Sequence, residues 1–137
     1  MIFEKHLYIY QFFKDKNYYD PCPTKPQFDG LKTEWKKYNF VNPPYSQIKT
    51  WIQKALTEKQ KGKTSILLIP ARTDTQWFRT LIENNVTIMF IQGRLHFNES
   101  APAPFPSMFV KITPNAKKTK YQFIKKEELK NFTSKQN

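Results

Sequence analysis

The chain has 137 residues, a formal net charge of +12 and a pI near 9.8. This length suits one domain with a real core and excludes a multidomain assembly. The strong positive charge makes nucleic acid the expected partner, because a basic surface attracts polyanions over long range. No stretch approaches the roughly 20 apolar residues of a spanning helix and the N-terminus lacks a signal-peptide layout, so we expect an intracellular protein with no membrane partner.

Cysteine and glycine usage excludes several kinds of site. The single cysteine, Cys22, leaves no internal disulfide, and together with His6 and His96 it makes no ligand cluster for zinc, so we expect no metal site. With three glycines in the chain, neither common type of glycine-rich phosphate loop can be assembled.

The first part of the chain predicts a helix and a short strand. Apolar residues between Ile2 and Lys14 follow helical spacing. Tyr18-Tyr19 begin a strand that proline ends after Asp20, which places a polar residue at a strand end. Residues 24–37 predict a loop over the edge of the sheet, in which Asp29-Gly30 is either a turn or a ligand contact.

The stretch from Phe40 to Ser46 carries the clearest chemical pattern. Residues 38–41 suit a buried strand, and Pro43-Pro44 must end it at Asn42. The Asn42 side chain and the carbonyls beside it then become rigid hydrogen-bond acceptors at the carboxyl end of a strand, next to the flat ring of Tyr45. Such a pair suits the exocyclic amino group of a planar base that has left its duplex. The alternative is a proline-rich turn between a strand and a helix.

A strand, a helix and a second strand follow each other here. Ser46 is a good N-cap, the residues from Ile48 to Leu56 are apolar at three- and four-residue spacing, and Gly62 closes the helix. Ser65 to Ile69 is a continuous apolar run of the kind that is buried on both faces. This βαβ unit predicts that the two strands are parallel.

The same pattern repeats once. Thr73 or Asp74 can cap a helix whose core face is Trp77-Phe78 and Leu81-Ile82. Val86 to Ile91 is the next buried strand, which gives a second βαβ step. Gln92-Gly93-Arg94 predicts a turn.

The last part of the chain is richer in proline and then in lysine. Residues 95–97 predict an extended segment, residues 101–107 a proline-laced loop, and Met108 to Ile112 a further strand. In the lysine-rich stretch after Thr113, residues 121–124 suit an edge strand and residues 127–132 a short helix. We expect a domain over residues 1–113 and a basic, partly disordered extension over residues 114–137.

In order along the chain, these motifs resemble the phage-type, Dam-like DNA N6-adenine methyltransferases. The resemblance covers nearly the whole chain as far as the strand at Met108. It rests on Asp20-Pro-Cys-Pro23, Asp29-Gly-Leu31 with Trp35, Asn42-Pro-Pro-Tyr-Ser46 with Trp51 and Lys54-Ala55, Leu68-Ile-Pro-Ala-Arg-Thr-Asp-Thr75 with Trp77-Phe78, Gly93-Arg-Leu95 with Phe97, and Ala103-Pro-Phe-Pro-Ser107.

The resemblance implies an α/β chain with a Rossmann-like class I methyltransferase sheet, mostly parallel, with flanking helices. It also implies methyl transfer from S-adenosylmethionine to adenine N6 in DNA, in the cytoplasm of a bacterial or phage-infected host cell. Because few residues separate Asp20 from Asn42 and no glycine-rich loop follows Asp20, the sheet is expected to be abbreviated. A homodimer that completes the groove is a further expectation.

Site residues carry over from the resemblance by position. It implies a catalytic motif of Asn42, Pro43, Pro44 and Tyr45, with Phe40 and Ser46 flanking the pocket. It implies cofactor contacts from Asp20, Pro21, Cys22, Asp29 and Phe40.

The expected DNA contacts lie in later loops. They are Ser46, Arg72, Asp74 and Arg94. Arg72 and Arg94 either hold a phosphate or a base edge or are solvated side chains. Two other functions remain open: a non-catalytic nucleic-acid-binding module with a degenerate methyltransferase fold, and an RNA methyltransferase.

Overall fold

The computed structural model describes residues 12–13, 17–96 and 101–128. Within this part, five strands form one sheet. Two α-helices connect the first three strands in chain order. The elements are β1 (Tyr38–Val41), α1 (Ile48–Gln60), β2 (Thr64–Pro70), α2 (Gln76–Ile82), β3 (Thr87–Gln92), β4 (Ser107–Ile112) and β5 (Lys120–Lys125).

The strands are arranged in the order β1-β2-β4-β3-β5. β1 is parallel to β2 and β3 is parallel to β5, whereas β4 runs antiparallel to both of its neighbours. Four of the five strands therefore share one direction, which confirms the α/β prediction of a mostly parallel sheet.

The second βαβ step joins β2 to β3, and these two strands run in the same direction. They are not neighbours in the sheet, however, because β4 lies between them. β3 and β4 are joined by residues 93–106 without an intervening helix in the described residues. A connection of this kind joins antiparallel strands, while parallel neighbours need a crossover, so β4 inserts in the opposite direction.

The two faces of the sheet are covered differently. Both helices pack on one face, where Ile52 and Leu81 meet strand residues such as Leu67 and Val110. The opposite face carries an aromatic cluster that includes Phe40 and Phe109 together with Phe13. Of the predicted N-terminal helix, Phe12 and Phe13 are helical and the rest lies outside the described residues.

The two predicted helix caps are wrong. A 3-10 turn over Tyr45–Gln47 leads into α1, so Ser46 lies inside this turn and Gln47 takes the cap position without a side-chain hydrogen bond. At α2 the cap is Thr75, whose hydroxyl accepts from the Phe78 N–H at 3.2 Å. The same hydroxyl donates to the Arg72 carbonyl at 2.9 Å, which closes a turn over Thr73 and Asp74 and moves the cap past them.

Other predictions fall on short or partly described segments. Tyr19 forms a single parallel bridge with Asn39, and residues 121–124 lie in β5 at the edge of the sheet. Residues 126–128 are helical, while the rest of the predicted C-terminal helix, the tail from Thr133, and Phe97 lie outside the described residues. None of the described helices has the length and apolar composition that crossing a membrane requires.

One buried carboxylate joins α1 to the loop before β1. The Glu58 side chain is fully buried, lies 2.8 Å from Lys54 Nζ and accepts from the Trp35 N–H at 3.1 Å. Burial alone would raise the pKa of Glu58. The hydrogen bonds from Lys54 and Trp35 and the charges of Lys54 and Lys61 outweigh burial, so this pKa lies below its ordinary value of 4.5.

This arrangement predicts acid sensitivity. Because the folded pKa of Glu58 is lowered, the carboxylate stabilises the fold above pH 4.5, and this contribution is lost as the pH falls through the folded pKa. We expect Glu58→Gln to lower the free energy of unfolding near neutral pH by about 3 kcal/mol, since it leaves Lys54 without its charged partner, and to flatten the loss of stability below pH 4.5. Urea unfolding across a pH series measures both effects.

The matched control is Glu83→Gln. Glu83 pairs with Arg79 at 2.7 Å, but its side chain is 59% exposed, so its loss should change the unfolding free energy far less than the loss of Glu58. The same acid profile in wild type and Glu58→Gln would contradict the role of Glu58.

Candidate active site

Several loops meet at the edge of the sheet where β1, β2 and β3 end. Because β4 runs the other way, it begins at this edge, and Ser107 pairs with Pro70. The bridge between Tyr19 and Asn39 brings Asp20 to the same edge. Ligands of open α/β sheets bind in such a crevice, and Asp20 and Asn42 both lie at this edge.

The motif after β1 is rigid and largely buried. Asn42 is fully buried at the end of the strand, and Pro43 is buried beside it. Pro44 is extended, with φ −63° and ψ 140°, and its carbonyl accepts from the Gln47 N–H at 3.0 Å. The Pro44 carbonyl is therefore engaged in the turn that leads into α1.

Tyr45, Phe105 and Arg72 form a cluster that we call the aromatic corner. The Tyr45 ring meets the ring of Phe105 edge to face, with centroids 5.0 Å apart and planes at 85°. The guanidinium of Arg72 lies 5.5 Å from the Phe105 ring centroid, within cation–π range. Burial raises the pKa of Tyr45 to about 12, so its hydroxyl stays protonated at physiological pH.

Phe105 is a candidate site residue that the sequence interpretation missed. Its segment, Ala103 to Ser107, was among the motifs that carried the resemblance, but an irregular loop has no periodicity from which a side-chain direction can be inferred. Only the pairing of Pro70 with Ser107 brings Phe105 over Tyr45.

A cavity of about 350 Å³ adjoins the motif. Its walls come from three segments that meet at this edge: residues 21–22, residues 26–30 and the stretch from Pro44 to Trp51. The residues that bear on the site are Pro21, Cys22, Phe28, Asp29, Pro44 and Trp51. Three of the expected cofactor residues, Pro21, Cys22 and Asp29, are thus brought together next to Pro44.

The two aspartates expected at the cofactor also shape the backbone. Asp20 Oδ1 accepts from the Cys22 N–H at 2.9 Å, and Asp29 Oδ1 accepts from the Leu31 N–H at 3.0 Å. The Lys32 N–H donates to the Asp29 carbonyl at 3.0 Å, so Asp29-Gly30 is a turn, and this turn lies on the cavity wall.

Gly30 was named from the sequence only as part of the Asp29-Gly30 pair, and its close packing was not foreseen. A Cβ built on Gly30 would lie 1.8 Å from the Pro21 carbonyl oxygen and 2.9 Å from Trp51 Cη2. The Gly30 carbonyl accepts from the Trp35 indole N–H at 2.8 Å, which holds the turn against residues 20–22. Because Gly30 has no side chain, the Asp29-Gly30 turn can pack directly against the Pro21 backbone, and both segments line the cavity.

The remaining expected site residues are more scattered. Phe40 is buried in the cluster on the opposite face, with its ring 6.4 Å from that of Phe109, and the structure does not bring it to the cavity at Pro21. Ser46 is exposed in the 3-10 turn, and Asp74 is exposed before α2. Among the described contacts, Arg72 reaches the aromatic corner, and Ser46 and Asp74 do not.

Arg94 lies in a separate basic group at the end of β3. Its guanidinium approaches the Ala103 carbonyl at 3.5 Å, and its own carbonyl accepts from Lys126 Nζ at 2.8 Å. Lys126 Nζ is also 3.1 Å from His96 Nδ1. The group faces the same edge as Asn42, three strands further along the sheet.

Comparison with known proteins gives a consistent set of similarities. A family model described as DNA N-6-adenine-methyltransferase (Dam) matches residues 14–135. A DNA N-6-adenine-methyltransferase of Haemophilus phage HP1 (strain HP1c1) is 26% identical over 128 residues, which cover 80% of this chain and 74% of that protein. One of Escherichia phage T1 is 31% identical over 67 residues, 47% of this chain, and the match spans 28% of the length of that relative.

Among solved structures, the fold is similar to that of a predicted O-methyltransferase from Agrobacterium tumefaciens. The TM-score is 0.45 and the sequence identity is 17%, and the similarity covers 75% of this chain and 54% of the other.

Proposed function

The chain belongs to the DNA N-6-adenine-methyltransferase (Dam) family, and from this we propose that it transfers a methyl group from S-adenosylmethionine to the N6 amino group of adenine in DNA. The observation that carries the proposal is the fully buried Asn42, fixed at the end of β1 by Pro43-Pro44 and followed by the half-buried ring of Tyr45. This arrangement offers acceptors and a stacking surface to a planar amine at one point.

The motif acts on the target base through hydrogen bonds and stacking. The Asn42 side-chain oxygen and the Pro43 carbonyl would each accept a hydrogen bond from N6, which draws the nitrogen lone pair out of conjugation. As the new N–C bond forms and the sulfonium S–C bond breaks, S-adenosylhomocysteine would leave and the displaced N6 proton would pass to solvent. Tyr45 stacks on the base after it has left the duplex. Because the Tyr45 pKa is raised to about 12, its ring stays neutral and has no acid–base role at neutral pH.

The cavity beside Pro44 fits the proposed cofactor. Its volume of about 350 Å³ lies within the usual range of ligand pockets, and it combines apolar walls with the carboxylate of Asp29 and the aromatic ring of Phe28. Pro21, Cys22 and Asp29 would hold the cofactor, with Asp20 shaping the loop that carries them. S-adenosylmethionine, when bound, supplies an electrophilic methyl group, so the protein needs to position the amine rather than to supply a strong base.

The DNA contacts extend from this site along the same edge. Arg72, held over Phe105, is proposed to contact the phosphate or the base edge next to the flipped adenine. Arg94, with Ser46 and Asp74 as flanking contacts, is proposed to meet the strand further along the edge. Action in the cytoplasm of a bacterial or phage-infected host cell is proposed from the family, and the homodimer stays a prediction.

One observation favours a second candidate function. The segment from Cys22 to Lys25 contains no glycine, whereas a phosphate or nucleotide cradle commonly relies on a glycine-rich loop. A non-catalytic nucleic-acid-binding module would keep the basic surface and lose cofactor binding.

Calorimetric titration with S-adenosylmethionine, with and without adenine-containing DNA, separates the two functions. Binding in either condition, together with N6-methyladenine in a digest of the DNA product, supports the enzyme. If no binding is detected in either condition, the enzyme proposal fails and the binding module stands. Methylation of an RNA oligonucleotide but not of its DNA equivalent would replace DNA by RNA as the substrate.

A further inference from the structure

A lysine-rich groove opens at the edge of the sheet opposite the candidate active site. It has a volume of about 530 Å³. Its wall combines four exposed lysines with polar side chains, and among the described residues that line it there is no carboxylate. We define the lysine groove by Lys111, Lys117, Lys118 and Lys120 with Thr87 and Thr113.

Strand register places two of these lysines side by side on one face. Thr87 of β3 pairs with Lys111 of β4 on one side and with Lys120 of β5 on the other. Residues that pair directly point to the same face, and neighbouring strands are about 4.8 Å apart, so the Cα atoms of the two lysines are roughly 10 Å apart across Thr87. Because Ile88 and Val110 pack against the helices, this is the face without α1 and α2.

The loop that carries the other two lysines is fastened to the sheet. The Thr119 hydroxyl donates to the Ile82 carbonyl at 2.7 Å and accepts from the Val86 N–H at 3.3 Å. The Lys120 N–H donates to the Val86 carbonyl at 2.9 Å. Lys117 and Lys118 therefore extend from an anchored segment. Because this segment is already held in place, less conformational entropy is lost when an anion binds.

The charges of the groove are available for a partner. The ion pairs within the described chain involve Lys54, Lys61, Lys63 and Arg79, and none of the four groove lysines. Four cations around one open groove exceed what a single phosphate needs and match a row of phosphates on a polyanion.

We propose that the lysine groove binds backbone phosphates of the DNA strand that carries the target adenine. This inference rests on the proposed function. Phe40, two residues before the acceptor Asn42 and still within β1, packs on the same face of the sheet as the groove lysines. β4 spans the sheet between the two edges, and its 6 residues correspond to about 17–20 Å at roughly 3.4 Å each. The groove also lies two to four strands to the side of β1, at about 4.8 Å per strand, so the whole separation is about 20–28 Å. The groove would then hold phosphates about six to eight nucleotides from the flipped base, at about 3.4 Å per nucleotide.

The test uses charge-matched variants and the salt dependence of DNA binding. Lys117→Gln/Lys118→Gln removes two charges from the groove, and Lys61→Gln/Arg79→Gln removes two charges from the exposed side of the helices. Fluorescence anisotropy with one labelled duplex, at several salt concentrations, gives the slope of log K against log salt. Urea unfolding checks that each variant is folded.

We expect the groove variant to lower the slope by about 1.8, or about 0.9 for each phosphate that the protein no longer neutralises, and to weaken binding by on the order of tenfold to a hundredfold at moderate salt. The effect should be largest for a duplex that extends beyond about eight base pairs from the adenine, and should vanish for one that ends about three base pairs from it. Equal changes in the two charge-matched variants would overturn the groove proposal, because net charge alone would then explain them.

The two proposals can fail separately. A groove-specific change in slope without any S-adenosylmethionine binding would reject the enzyme and keep the groove. Methyl transfer by a protein whose two double variants have equal slopes would keep the enzyme and reject the groove.

Discussion

Replacing Asn42 with alanine is expected to abolish methyl transfer while leaving cofactor binding intact. The alanine removes the side-chain acceptor for the N6 amino group, and loss of one positioned hydrogen-bonding group at a reacting centre typically lowers kcat by about a hundredfold to a thousandfold. Cofactor affinity should change little, because Asn42 does not line the cavity at Pro21, Asp29 and Pro44. Single-turnover methylation and calorimetry with S-adenosylmethionine measure the two properties.

Asn39→Ala is the matched control on the same strand. Asn39 is also fully buried, but it accepts from the Lys36 N–H at 3.0 Å and donates to the carbonyls of Lys36 and Thr64 at 2.9 and 3.1 Å. Its loss should cost about 1–3 kcal/mol of stability, because buried groups lose their partners, without changing kcat per folded molecule. If Asn42→Ala kept more than a tenth of the wild-type kcat, the proposed role of Asn42 would be wrong.

The difference between these two asparagines shows where sequence reasoning succeeds. The end of β1 was predictable because Pro43-Pro44 cannot continue a ladder, so Asn42 had to stand at a strand terminus. Local patterns also predict β2, β3 and α1. The two strands are continuous apolar runs, and the helix has apolar residues at helical spacing. The role of Asn39 follows from contacts with a loop and with β2, which no local pattern contains.

Features that depend on residues far apart in the sequence, and the exact helix starts, could not be predicted from local patterns. The inverted direction of β4 depends on how residues 93–106 return to the sheet, and Phe105 reaches Tyr45 only through that return. The caps at Ser46 and Thr73 or Asp74 were mispredicted because a 3-10 turn and a side-chain turn each displaced the helix start by one or two residues. Such shifts cost little energy, so composition alone does not decide them.

Gly30→Ala is expected to have the largest effect outside the catalytic motif. The new Cβ would lie 1.8 Å from the carbonyl oxygen and 2.7 Å from the carbonyl carbon of Pro21, and these backbone atoms cannot rotate away. Either the Asp29-Gly30 turn or residues 20–22 must move, which we expect to lower the free energy of unfolding by about 3 kcal/mol. Because both segments line the proposed cofactor cavity, affinity for S-adenosylmethionine should fall on the order of tenfold or more, as about 1.4 kcal/mol of lost binding implies.

Gly62→Ala separates this collision from ordinary backbone strain. Gly62 has φ +86° and no atom within 4 Å of a built Cβ, so alanine there meets strain of about 1–2 kcal/mol without a clash. Urea unfolding should therefore show a smaller loss for Gly62→Ala, and calorimetry should show unchanged cofactor binding. Wild-type cofactor affinity in Gly30→Ala would contradict the assignment of the cavity, because a wall displaced by the alanine would then have no effect on the ligand it is proposed to hold.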